Sequence, residues 1–85
     1  MNYFVYVLRN PSARFYIGLT EDVAHRLAQH NDGISNWTRH RGPWSLVWTS
    51  RPLSLSEARK LECFLKRQKG GHGFYNFTGL TRLGS

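Results

Sequence analysis

The sequence predicts a small α/β chain of the α+β kind, a three-stranded antiparallel sheet flanked by helices in the order β-β-α-β-α. Three observations point there. Two apolar runs flank a short proline-containing turn, two segments with amphipathic spacing open on capping signals, and an alternating run lies between those segments. Eighty-five residues leave room for one small core, so a single domain is expected over 1–80 with 81–85 as a tail.

Residues 3–8, "YFVYVL", form a continuous apolar and aromatic run that fits a central strand buried on both faces. "RNPSAR" follows, with Pro11 suited to the first central position of a tight turn, and "FYIGL" reads as the second strand of a hairpin spanning 3–19. Thr20 is the expected N-cap of the first helix, with Glu21 and Asp22 in its first turn; the helix should end near Asn31, where Gly33 can adopt the left-handed closing conformation. Residues 33–43 form a polar loop carrying Trp37, Arg39, His40 and Arg41, and "WSLVWTS" is the third strand. The second helix covers 54–68, opened by a Ser54/Glu57 capping box and closed by Gly70 and Gly71. The aromatic tail "HGFYNFTGL" should pack back on the body, in no assigned element.

Twelve Lys and Arg against five Asp and Glu give a net charge of +7, a basic footprint that suits a polyanion, nucleic acid first. Cys63 stands alone, so neither an internal disulfide nor a structural zinc site is available. The start has no signal-peptide pattern and no apolar run reaches the ~20 residues that span a bilayer. A cytoplasmic protein with no membrane partner is expected, a monomer being favoured.

Several polar positions are not required by packing. Asp22, Arg26 and His30, spaced i, i+4, i+8, share one helical stripe, which also fits a solvent-facing charge ladder. Tyr6 and Tyr16 fall on one face of the hairpin if it pairs in register, as does Gly18, where the missing side chain permits close approach; two core tyrosines would look the same. Glu62 borders the apolar stripe Leu55, Ala58, Leu61 and Leu65, so its carboxylate wants a cation, either a metal ion or Arg26.

"FVY" at 4–6, "YIG" at 16–18, an Arg on the next helix and a Glu on a later one resemble the GIY-YIG nuclease domain. The likeness runs from about Asn2 to Gly79, and is similar to small standalone bacterial forms and to the nuclease domain of the excision-repair incision subunit. Phe4 stands where the family name has Gly, and Leu19 where repair-type domains carry Lys. The resemblance implies a DNA endonuclease using one Mg²⁺ or Mn²⁺ ion, with Tyr6, Tyr16, Arg26, His30 and Glu62 as catalytic residues and Glu62 as metal ligand. Asn76, in "FYNF", is the candidate for the family's late Asn. On this reading Arg26 holds the scissile phosphate and a tyrosine hydroxyl, Tyr6 by preference, meets the attacking water. His30, titrating near ~6.5 as ordinary imidazole does, relays the proton. Gly18, Arg39, Arg41, Lys66, Arg67 and Lys69 are the expected nucleic-acid contacts. The alternative is a basic single-stranded nucleic-acid-binding module without chemistry, which accounts for the charge and aromatics but leaves Glu62 facing a phosphate backbone.

Overall fold

A computed structural model describes residues 2–33, 41–69 and 71–80. Trp37, Arg39, His40 and Gly70 lie outside the described residues, as does the expected tail, 81–85. Strands β1 (Phe4–Arg9), β2 (Phe15–Thr20) and β3 (Ser45–Thr49) form one antiparallel sheet in the order β2-β1-β3, with helices α1 (Val23–Asn31), α2 (Leu55–Gln68) and α3 (His72–Thr78). The apolar run at 3–8 is thus the central strand, Val5 to Leu8 being essentially inaccessible. In the hairpin turn the Ala13 N–H donates to the Asn10 carbonyl at 3.0 Å, which puts Pro11 at the first central position, where its fixed φ fits.

Alternation along the strands divides the interior in two. Val5, Val7, Phe15 and Ile17 meet Ala58 and Leu65 of α2 and Phe74 of α3. Tyr6 and Leu8 turn to the opposite face, where Trp44 closes over them and Tyr16, Val23 and Leu27 pack alongside. The tail segment therefore does pack back, and it does so as a helix. Gly71 and Gly79, the latter at φ 75°, bound a seven-residue segment whose Phe74 ring fills the core against Phe15 at 5.0 Å.

Two capping expectations met different outcomes. The Ser54/Glu57 capping box forms as read, each side chain bonding the other's backbone N–H at 3.2 Å. The N-cap of α1 is Asp22 rather than Thr20, its carboxylate accepting from the His25 N–H at 3.0 Å. Thr20 is the last residue of β2, opposite Phe4, so its backbone belongs to the sheet and only its hydroxyl, accepting from the Asp22 N–H at 3.1 Å, reaches the turn. At the other end Gly33 takes φ 78° and its N–H closes onto the His30 carbonyl at 3.2 Å.

Candidate active site

The site grows from the register of the hairpin. Tyr6 pairs with Gly18 and Leu8 with Tyr16, so the two tyrosine rings stand diagonally on one face, 6.3 Å apart. The close approach permitted at Gly18 is made by Tyr6 itself: a Cβ there would meet the phenol oxygen, Cζ and Cε1 of that ring, the last at 2.9 Å. Gly18 is buried beneath the tyrosine, which corrects its expected place among the nucleic-acid contacts.

His30 is 1% exposed, and this overturns the charge ladder. Asp22 caps the helix and Arg26 Nη1 donates to Gln29 Oε1 at 2.8 Å, while the imidazole turns inward. There Nε2 lies 2.8 Å from the Tyr6 hydroxyl, and the ring lies against Tyr16, tilted by 59° with the centroids 4.6 Å apart. Burial first, and then the Arg26 charge, push the His30 imidazolium down to about 4, so the ring is neutral at pH 7. Burial also raises the Tyr6 phenol above its ordinary range; a hydrogen bond from Arg26 pulls it back, and Tyr16 and Glu62 push it up again. The arrangement that serves both groups has the phenol donating to Nε2 and the ring proton on Nδ1.

Tyr16 is only partly buried and opens onto a cleft of about 390 Å³ that it shares with Ile17, Lys66 and Lys69. Because β2 is an edge strand, this cleft lies where the tyrosine face of the sheet meets the end of α2. Glu62, at 22% side-chain exposure, receives Lys66 Nζ at 3.3 Å, so the side chain that pairs with it is Lys66 and not Arg26, the partner considered beside a metal ion. An ammonium already accepted at that carboxylate shows that the position admits a cation. Among the described residues no three His, Cys, Asp or Glu side chains converge, so a metal ion would have one protein ligand here. One carboxylate completed by water and phosphate oxygens is a donor set for Mg²⁺ or Mn²⁺, and the residues fit such an ion.

Tyr6, Tyr16, Arg26 and His30 are therefore brought together, with Glu62 close enough to act on the Tyr6 phenol. Asn76 is exposed on α3, and among the described residues no hydrogen bond or ion pair joins it to the cluster. Arg67 is exposed on α2 and does not line the cleft, and Arg41 is exposed with its carbonyl held by Asn10 Nδ2 at 2.9 Å. Two supporting residues escaped the sequence reading. Gln29, three residues after Arg26 and so on its helical side, fixes the guanidinium. Asn31 clasps Trp44 by accepting from its N–H at 2.6 Å and donating to its carbonyl at 3.0 Å, and no sequence pattern announces that clasp.

The GIY-YIG catalytic domain matches residues 2–76. The UPF0213 protein of Streptococcus pneumoniae is 40% identical over 67 residues, covering 78% of this chain and 68% of its own length. That of Cronobacter sakazakii is 39% identical over 66 residues, covering 76% and 70%. The solution NMR structure of the UPF0213 protein BH0048 from Bacillus halodurans superposes with a TM-score of 0.51 at 33% identity, over 95% of this chain and 98% of that one. By that match over most of its length and by these relatives, the chain belongs to the GIY-YIG family.

Proposed function

We propose that the protein is a divalent-metal-dependent endonuclease that hydrolyses phosphodiester bonds in DNA with one Mg²⁺ or Mn²⁺ ion. The observation that carries this reading is the buried Tyr6–His30 hydrogen bond, a neutral imidazole locked on a phenol behind an arginine and beside an open basic cleft. A binding module would use the basic wall but has no use for that pair. Arg26, steadied by Gln29, holds the scissile phosphate through its planar fork. Burial of Tyr6, at 1% exposure, favours Tyr16 as the hydroxyl that meets the attacking water, in place of the Tyr6 preferred from sequence. His30 is neutral, with Nε2 accepting from Tyr6 and the ring proton on Nδ1, so the water's proton would reach the imidazole through the Tyr6 phenol, which passes its own proton to Nε2 as it takes up another. When bound at Glu62, the metal ion supplies positive charge to the departing oxygen.

The deciding experiment is Mg²⁺-dependent nicking of supercoiled plasmid by the wild type and by Glu62→Gln. The variant should lose cleavage while metal-free DNA binding is kept or strengthened, because a negative charge leaves the phosphate site. Wild-type nicking by Glu62→Gln at saturating Mg²⁺ would make Glu62 a structural carboxylate paired with Lys66 and nothing more.

A further inference from the structure

We infer that Arg14, Lys66 and Lys69 form a second phosphate subsite, which holds the backbone phosphate next to the scissile one and so directs the substrate strand along the β2 edge towards the C-terminal end of α2. This rests on the proposed nuclease site and adds to it a substrate-positioning element. Lys66, in the last turn of α2, and Lys69, its C-cap residue, line the same cleft as Tyr16. Lys66 also touches Glu62, so the basic wall is continuous with the carboxylate that would hold the metal.

Arg14 joins them from the hairpin. It precedes Tyr16 by two residues, which puts both side chains on one face of extended backbone. Its position is fixed on both sides by buried Asn10: the Arg14 N–H donates to Asn10 Oδ1 at 2.9 Å, and its carbonyl accepts from the Asn10 N–H at 3.1 Å. Burial first, and then the Arg14 and Lys66 charges, lower the Lys69 ammonium pKa, which puts both charges within electrostatic reach of that lysine. The lysines on the wall of this cleft, with Arg14 beside them, offer charge-assisted donors to an anion that enters next to Tyr16. In a DNA nuclease the anion at hand one step from the scissile bond is the neighbouring phosphate.

The test uses Arg14→Gln, Lys69→Gln and the double variant, all at exposed positions. Binding of a single-stranded 12-mer DNA is measured in EDTA across NaCl concentrations, and cleavage in Mg²⁺ is measured on the 12-mer and on thymidine 5′-(p-nitrophenyl phosphate), a phosphodiester with no neighbouring phosphate. If the cations share one phosphate, the salt slope falls by about 0.7 in the double variant, the value for one single-strand contact, and not by twice that. The loss of kcat/KM on the 12-mer should exceed the loss on the small diester by about tenfold, the scale of one charge-assisted hydrogen bond. Wild-type affinity and slope in the double variant overturn the subsite, as do equal losses on both substrates, which would put the cluster on the scissile phosphate itself. Should the wild type cleave neither substrate, the nuclease reading fails, and the salt slope alone still decides whether the cluster holds a phosphate.

Discussion

His30 should titrate near pH 4, and both stability and catalysis should record it. In the unfolded chain an imidazole takes up its proton near ~6.5. The folded protein refuses that proton until the pH nears 4, because the charged ring would lose its hydration and face Arg26. The His30 contribution to stability is therefore complete above about pH 6.5 and is lost as the pH falls towards 4. At full burial that displacement corresponds to about 3 kcal/mol. The site opens at Tyr16, and solvent there screens the Arg26 charge, which brings the expected loss to about 2 kcal/mol. Glu57 does not confuse the window. Its carboxyl is held below the usual range by the Ser54 backbone N–H and then by the Ser54 hydroxyl, so its contribution survives until the pH falls below 4.5. Urea unfolding between pH 7 and pH 4.5 should show the loss in the wild type and a flatter dependence in His30→Gln. NMR titration of the His30 ring gives the value directly. In kcat/KM the ascending limb should lie near pH 4, not near the ~6.5 of free imidazole, because this ratio reports the free enzyme. A ring that titrates at or above pH 6, or the same stability slope in both proteins, would refute a buried, arginine-facing histidine.

Gly18→Ala should push its new methyl into the Tyr6 phenol and lower stability by about 1–3 kcal/mol, breaking the Tyr6–His30 hydrogen bond; an unchanged melting temperature and an intact His30 titration would contradict the packing at that strand. Arg26→Lys keeps the charge and loses the fork bonded to Gln29, so turnover on plasmid should fall on the order of 10²-fold with less than about 1 kcal/mol of stability lost. Retained turnover with a lowered melting temperature would make Arg26 a structural partner of Tyr6.

The strands, two of the helices and the hairpin turn are legible in the sequence because each has a local cause: an apolar run, a proline at a turn, a capping box. His30 is the instructive exception. Grouped with Asp22 and Arg26 it looks like a surface residue, yet Val23, Leu27 and His30 also stand at i, i+4 and i+7, the spacing of a buried stripe. Two periodic readings compete, and the apolar partners, not the charged ones, set the ring's direction. The third helix is illegible because α3 is only seven residues long, too short for a periodic signal, and depends on Phe74 reaching the core. The partner of Glu62 follows from geometry that spacing does offer. Lys66 is four residues on, the ordinary helical ion-pair distance, whereas Arg26 would have to reach across from another element.

The same burial that makes the site also has a cost, and its offset is visible. The face of the sheet towards α1 has only Tyr6, Leu8 and Trp44 as its buried apolar group among the described residues, and it must also hold His30, whose polar ring adds little hydrophobic stabilisation. An ordinary small domain would put leucine there. Here the phenol and the imidazole satisfy one another, so no buried polar side-chain atom among the described residues is left without a partner. Trp44, the largest lid on this cluster, is held through its backbone by the two hydrogen bonds it shares with Asn31 at the end of the helix that carries His30. The helix that supplies Arg26 and His30 is thereby tied to the strand entrance beyond them, and it cannot drift without uncovering Tyr6. In a chain too small for a separate scaffold, the packing of the second core and the geometry of the site are one constraint, so substitutions that loosen Trp44 should disturb His30 before they unfold the sheet.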